Sequence, residues 1–399
     1  MCRLLFLLLS LSLCLQTLAA PPVITNVRAS QRPGTKLVDI YYDLSDADGD
    51  LQEIRVQVSG DGGLTYTIPA STFTGAYGLG VSLGVNRHVV WNAGADWDGN
   101  FMDTTKVRVT AFDGTTPPAP PGMAYIPPGQ FQMGDTFQEG DSDERPLHMV
   151  TVSGFFMELK EVTYQLWSDV STWSRLHGYN FSGPQGAALQ PEQAVTSLSW
   201  YSAVRWCNAR SEMEGLEPVY YLDASLTEIM RSQSGSIWHA HMHPTANGYR
   251  LPTEAEWERA ARGGLHGKRY PNGNSIALDD ENFLGSGDPW ESFDPPVSPP
   301  AQYAPNGFGI FDLGGNVSEH CFDLYGSDFY GSDENIDPTG PSTASVKINN
   351  SGSRAHVARG GNFRGAPDSA RVAGRFWTDS PNWSEFVGLR CARSVAPNP

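Results

Sequence analysis

Three histidines alternate in Trp238-His239-Ala240-His241-Met242-His243-Pro244. On a strand, alternate side chains share a face, so the three imidazoles could hold zinc, copper or iron. The run precedes Asn247-Gly248-Tyr249-Arg250-Leu251, in a stretch that reads as an exposed loop. In such loops imidazoles are solvated or hydrogen-bonded, and no orienting carboxylate can be assigned, so the loop is the favoured reading. Asp46-Ala47-Asp48-Gly49-Asp50 could present carboxylates to calcium. A helix-flanked calcium loop also needs a bidentate Glu at its end, which is missing, and a solvated β-turn fits better. No Ser-His-Asp arrangement, phosphate-cradling loop or dinucleotide motif stands out.

The chain has 399 residues and a formal charge of −17. That charge repels phosphate backbones and argues against a nucleic-acid partner. Met1-Cys2-Arg3 precedes an apolar run from Leu4 to Leu18, then Ala19-Ala20 and Pro21. One basic residue, a short apolar core and small residues before a break make residues 1–20 a secretory signal peptide. The protein is expected to be secreted, either periplasmic or extracellular, with no transmembrane anchor once the signal is removed. Of five cysteines, Cys2 and Cys14 leave with the signal, while Cys207, Cys321 and Cys391 remain. Three thiols in an oxidising compartment suggest one disulfide and one spare.

Several elements must position these groups. Val38–Tyr42, Ile54–Val58 and Lys106–Thr110 alternate apolar and polar residues, as half-buried antiparallel strands do. Residues 23–114 are read as an all-β sandwich of immunoglobulin or fibronectin type, with a spacing or adhesion role. Residues 115–121, Thr-Thr-Pro-Pro-Ala-Pro-Pro, form a stiff linker. A second domain runs over 122–399. Helices are predicted from near Thr163, from Trp200 to Glu214, and from Thr253. Thr253 and Glu256 form a capping box, and Gly263-Gly264 ends that helix. The rest is loops and short strands, so the domain is an α+β fold of low regular content. Abundant Gly (42), Pro (29) and Trp (11) fit such a fold better than a helical bundle.

Four stretches of this second domain carry a resemblance. They are Met123-Ala124-Tyr125-Ile126-Pro127-Pro128-Gly129-Gln130-Phe131-Gln132-Met133-Gly134, Arg250-Leu251-Pro252-Thr253-Glu254-Ala255-Glu256-Trp257-Glu258, Asn306 to Glu319, and Arg359-Gly360-Gly361-Asn362-Phe363 with Gly388-Leu389-Arg390-Cys391-Ala392. In order and spacing, residues 122–394 resemble the sulfatase-modifying factor family, also called the formylglycine-generating enzyme family. The resemblance implies a C-type-lectin-like variant fold.

Active members of that family use oxygen and copper, held by two cysteines, to convert a substrate cysteine to formylglycine. Soft thiolates suit Cu(I). Here the matching positions fall on Gly365 and Ala370, and copper is not expected. The motif region reads Gly315-Asn316-Val317-Ser318-Glu319-His320, with Ser318 and His320 in place of two aromatics, and Asn362 where Ser is frequent. Ser318, His320, Asn362, Arg364, Gly365, Asp368 and Ala370 therefore outline a chemically altered pocket. Arg364, Arg371, Arg375 and Asp368 could bind an anionic or glycan ligand, or could be ion pairs of the core. The resemblance also implies a disulfide between Cys207 and Cys391, leaving Cys321 as a buried small hydrophobe or a reactive thiol. It implies structural calcium at Asp312, the Gly315 and Val317 carbonyls and Glu319, and a second site at Asn282, the Phe283 carbonyl, Glu291 and the Phe293 carbonyl. Carboxylate and carbonyl oxygens are what a hard cation requires.

Two functions compete. One is a noncatalytic, calcium-stabilised binding module for a peptide, glycan or surface protein, carried on the β-sandwich. The other is an oxidoreductase using a different metal or a cysteine-independent mechanism. Stoichiometric copper or iron in purified protein favours the second, calcium alone the first.

Overall fold

A computed structural model describes residues 22–46, 52–60, 68–100, 104–112, 119–181, 186–188, 190–232, 241–243, 245–287, 289–331, 335–341, 354–379 and 382–395. Residues 1–20, expected to be a signal peptide, Ala47 to Asp50, residues 115–118 of the expected linker, and His239 lie outside the described residues.

The N-terminal strands are β1 (Val23–Gln31), β2 (Leu37–Ser45), β3 (Gln52–Ser59), β4 (Phe73–Gly75), β5 (Gly78–Val81), β6 (Gly84–Asn92) and β7 (Lys106–Phe112), with one helical turn α1 (Ala93–Asp96). They form two sheets, ordered β1-β2-β6-β4 and β5-β3-β7. Period-two alternation puts Ile40, Tyr42 and Leu44 of β2 and Ile54, Val56 and Val58 of β3 into one shared apolar core with Val89, Trp91 and Val109. Each fully buried side chain of this size contributes about 1.5–3 kcal/mol. Gln57 of β3 donates to Ser153 and Asp337 and so ties this unit to the rest of the chain.

The C-terminal part adds β8 (Met123–Ile126), β9 (Gly129–Met133), β10 (His148–Val152), β11 (Phe155–Glu158), β12 (Leu198–Ser199), β13 (Ser318–Leu324), β14 (Ala355–Arg359), β15 (Arg375–Asp379), β16 (Trp383–Ser384), β17 (Val387–Gly388) and β18 (Ala392–Ser394). Three helices join them: α2 (Tyr164–Arg175), α3 (Trp200–Met213) and α4 (Glu254–Ala261). It is a mixed fold, mostly strand with few helices. β8 and β18, from opposite ends of this part, flank β11 and close it. The largest sheet here runs β15-β14-β13-β17, with β13 and β17 parallel.

The helix boundaries follow local chemistry. The Thr163 hydroxyl accepts from Leu166 N and caps α2, and Ser199 caps α3 through Ser202 N. At α4 the full capping box is present: Glu256 N donates to the Thr253 hydroxyl, and Thr253 N donates to the Glu256 carboxylate. Helix α4 then does something its sequence did not announce. Glu254, Glu256 and Glu258 are all buried, and each faces arginine. Glu254 pairs with Arg375, Glu256 with Arg250, and Glu258 with Arg262 and Arg359. With few regular elements to satisfy polar groups, the loops are pinned by buried charge pairs.

Candidate functional site

A cavity of about 310 Å³ opens between the edge strand β15 and the short strand β16. Phe376, Trp377, Thr378 and Asp379 come from β15; Trp383 and Ser384 come from β16. Ser318 at the start of β13, Ala358 of β14, Asn362 in the loop after β14, Asn382, Phe386 and Val387 complete the walls. Pairing of Ser199 with Trp383 holds β16 against β12, so the aromatic wall is anchored to the N-terminus of α3. Trp377 and Trp383 are nevertheless 42% and 51% exposed.

Only two of the expected pocket residues line this cavity. The Ser318 hydroxyl donates to the Gly360 carbonyl at 3.0 Å, and Asn362 Nδ2 donates to Ser318 Oγ at 3.2 Å. His320 lies one layer behind. Its ring contacts the Thr378 hydroxyl at 3.5 Å and the Leu198 carbonyl at 3.3 Å. Burial lowers its pKa to about 4, so the imidazole is neutral. Gly365 and Ala370 sit on a separate turn: Gly365 N donates to the Asn362 carbonyl, Ala370 is fully buried, and Asp368 is exposed. A Cβ at Gly365 would stand 2.2 Å from the Ser369 hydroxyl, so a larger residue requires Ser369 to move.

The arginines divide as ion pairs. Arg371 grips Glu144 with two nitrogens at 2.6 and 2.8 Å, and Arg375 grips Glu254 at 2.7 and 2.9 Å. Arg364 makes an exposed pair with Asp294. These bidentate forks occupy Arg371 and Arg375.

A second constellation lies between residues 281–298 and 312–319. Asp312 and Asn316 both adopt left-handed backbone, at φ 59° and 62°, which Asp and Asn tolerate best among non-glycine residues. Gly315 is required by contact: a Cβ there would stand 2.6 Å from the Asn282 carbonyl. This close approach packs Glu281 and Asn282 against the Asp312–Asn316 turn, where Gly314 N donates to Glu281 Oε1. Asp312 Oδ1, Glu281 Oε2, Asn282 Oδ1 and Ser298 Oγ are buried without a hydrogen-bond partner. Burial, opposed by the Ala301 N–H and Arg390, pushes Asp312 up to about 6. Burial and the Asp312 charge push Glu281 well above the carboxylate range. Burial, with Asp312 and Glu319 nearby, does the same to Glu161.

The expected calcium ligands are used unequally. Both Glu319 oxygens are engaged, accepting from Arg390 at 2.7–3.1 Å and from Trp257 Nε1 at 2.8 Å. Val317 N donates to Glu161. The Phe283 carbonyl accepts from Ser286 N, Glu291 accepts from Gly285 N, and Phe293 is 44% exposed. Among the described residues, no three His, Cys, Asp or Glu side chains converge as a metal-binding group.

Cys207, Cys321 and Cys391 are fully buried. Cys207 and Cys391 Sγ stand 3.9 Å apart as thiols, with Arg210 beside Cys391. Burial pushes the Cys321 thiol far up, away from thiolate chemistry. Of the histidine run, His241 and His243 are described. His243 meets Glu217 at 3.3 Å, the carboxylate that the sequence had not revealed.

With this geometry in hand, the similarities take on meaning. The sulfatase-modifying factor enzyme 1-like domain matches residues 110–395. The chain belongs to that family. It is 28% identical over 311 residues to a formylglycine-generating enzyme of Streptomyces coelicolor, covering 69% of this chain and 90% of that protein. It is 34% identical over 190 residues to chaperone protein LppX of Paenibacillus barcinonensis, covering 44% of this chain. The matched stretch spans 64% of the LppX length, under two thirds of that relative. A crystal structure of CarF superposes with a TM-score of 0.52 at 25% identity, covering 69% of this chain and 99% of that one. The family match explains why α4 and the Asp312–Glu319 turn were legible in sequence. It does not point to Trp377, Asp379, Trp383 or Glu281, which lie outside the recognised strings. For the tryptophans, the one available signal was two indoles six residues apart beside Asp, Asn and Ser.

Proposed function

We propose that this chain is an exported, noncatalytic member of the family that works as a binding module. The observation carrying the reading is the cavity wall itself: indoles, phenyl rings, aliphatic groups, amides, hydroxyls and one carboxylate line it, and no described lining residue is a thiol. Thiol-held copper needs a soft ligand pair. The described thiols lie buried elsewhere, and positions 365 and 370 carry Gly and Ala. The N-terminal sheets serve as an immunoglobulin-like spacer that holds this cavity away from whatever the chain is attached to. The test uses a sulfatase-type Cys-x-Pro-x-Arg peptide with copper, oxygen and a thiol reductant, beside an active family member. An unchanged peptide mass supports the module; conversion to formylglycine refutes it.

Calcium is the structural cofactor of this reading. The four buried, unpartnered oxygens of Asp312, Glu281, Asn282 and Ser298 fit a hard cation, because each otherwise costs about 1–3 kcal/mol unsatisfied. Asp312 and Glu281 would hold it, with Asn282 beside them. Glu319 would act from behind, balanced by Arg390. A bound cation would relieve the mutual repulsion of the buried Asp312 and Glu281 carboxylates.

A further inference from the structure

The cavity beside β15 and β16 has a consistent chemistry that goes beyond the module reading on which this inference rests. Its rim is aromatic: Trp383 and Trp377 are half-exposed, and Phe386 packs behind against Phe363, the rings tilted by 55° with centroids 5.8 Å apart. Ring faces carry negative potential and attract cations, Trp most strongly. Its polar wall contains one charged residue, Asp379. Asn382 Nδ2 approaches Asp379 Oδ2 at 3.4 Å, while Asp379 Oδ1 meets no donor among the described residues. An anionic oxygen in that position needs a donor, and a cationic donor makes the strongest bond. No Lys or Arg lines the cavity among the described residues. The nearest arginine in sequence to Asn362, Arg364, is turned to Asp294. The whole chain carries −17, which draws cations and repels anions. The volume, about 310 Å³, is at the low end for ligand pockets, enough for a small head group.

We infer that this cavity binds an alkylammonium group, seated between Trp383 and Trp377 with its charge against Asp379. The group has two possible sources, a lysine side chain of a protein partner or a free small amine. A neutral sugar would use the same rings and amides without needing the carboxylate charge.

The experiment titrates protein purified from a secreting host and follows tryptophan fluorescence and heat. The probes are acetyl-lysine methylamide, its trimethylated form, tetramethylammonium, the neutral acetyl-norleucine methylamide and methyl glucoside. Saturable binding of an ammonium probe is expected, at least about tenfold tighter than norleucine amide. Asp379→Asn and Trp383→Ala should each weaken it by about tenfold or more, with thermal midpoints unchanged. Tighter binding of the lysine amides than of tetramethylammonium names a protein side chain as the source; the reverse names a free amine. Equal binding of norleucine amide, binding of the glucoside alone, no saturation by any ammonium, or an unchanged Asp379→Asn overturns the inference. None of those outcomes converts a cysteine peptide, so the module reading stands or falls separately on its own assay.

Discussion

Glu258→Gln tests the idea that buried charge pairs hold this loop-rich fold together. Glu258 is fully buried; its Oε1 accepts from Arg262 at 2.6 and 3.0 Å and from Gly134 N at 2.9 Å, while Oε2 takes Arg359. Asp143, Glu254 and Glu258 face Arg262, Arg359 and Arg375, three charges against three. The amide keeps the shape and removes one negative charge, leaving a guanidinium uncompensated in the interior. Breaking such a pair costs about 3–5 kcal/mol. At roughly 2 °C per kcal/mol for a unit of this size, the midpoint should fall by about 6–10 °C in scanning calorimetry or circular dichroism. The exposed pair Arg364–Asp294 is the contrast: Asp294→Asn should change stability by no more than about 0.5 kcal/mol. pH gives a second readout. Burial alone would raise the Glu258 pKa, but the Arg262 and Arg359 charges and the Gly134 N–H overcome it, holding it below its ordinary 4.5. The unfolded chain therefore takes up this proton first. The stabilisation is complete above pH 4.5 and is lost as pH falls through the lower folded value, so Glu258→Gln should flatten the acid limb. A loss below about 1 kcal/mol, with the acid limb unchanged, would refute the reasoning.

Calcium should raise the midpoint relative to chelator by roughly 5 °C or more at a hundredfold excess over its Kd, and Asp312→Ala should abolish the shift; no shift in the wild type removes calcium from the proposal. Burial lowers His356 to about 3, against an ordinary 6.5, while its ring stacks on Trp200 at 3.6 Å. Its unfolded form gains a proton that the folded form refuses, so stability should rise with pH up to about 6.5; His356→Gln should reduce that slope in urea titrations across this window. Cys207 and Cys391, 3.9 Å apart, should be found joined in secreted protein by peptide mapping under non-reducing conditions. Reduction should then cost about 5 kcal/mol in the chain-entropy model, read as a lower urea midpoint; free thiols at both positions in secreted protein would exclude the bridge.

How much of this was legible depends on what kind of signal each residue sends. Helices α2, α3 and α4 were readable because caps and apolar spacing are local. The strands β2, β3 and β7 were readable for the same reason, since period-two alternation needs no partner to be seen. Core ion pairs were one of two readings for Arg371 and Arg375, but their partners were not readable. Arg371 and Glu144 lie 227 residues apart, and Arg375 and Glu254 are separated by 121. Side-chain pairing at such range leaves no periodic trace. Glu281 was missed because nothing local marks it; its significance comes from Gly315, whose lack of a side chain lets segment 281–282 close on the Asp312 turn. Glu319 was read from motif position as a ligand, whereas its neighbours Arg390 and Trp257 engage both of its oxygens.

The division between frame and site is visible within one strand. β15 begins with Arg375, which is locked by two hydrogen bonds to Glu254 and one each to the Asp143 and Gly326 carbonyls. Two residues on, Trp377 is 42% exposed, and Asp379 closes the strand at the cavity. Among the described residues β15 is the edge strand of its sheet, and Phe376 to Asp379 line the cavity beside it. The recognised string Arg250-Leu251-Pro252-Thr253-Glu254-Ala255-Glu256-Trp257-Glu258 supplies glutamates that anchor such strands, and none of its residues lines the cavity. That string therefore identifies the frame and is silent about the ligand. In the proposed reading, substitutions at Trp377, Asp379 and Trp383 would alter binding without touching the charge pairs that hold β15 in place, because the residues that fix the fold and those assigned to the ligand are different residues of the same element.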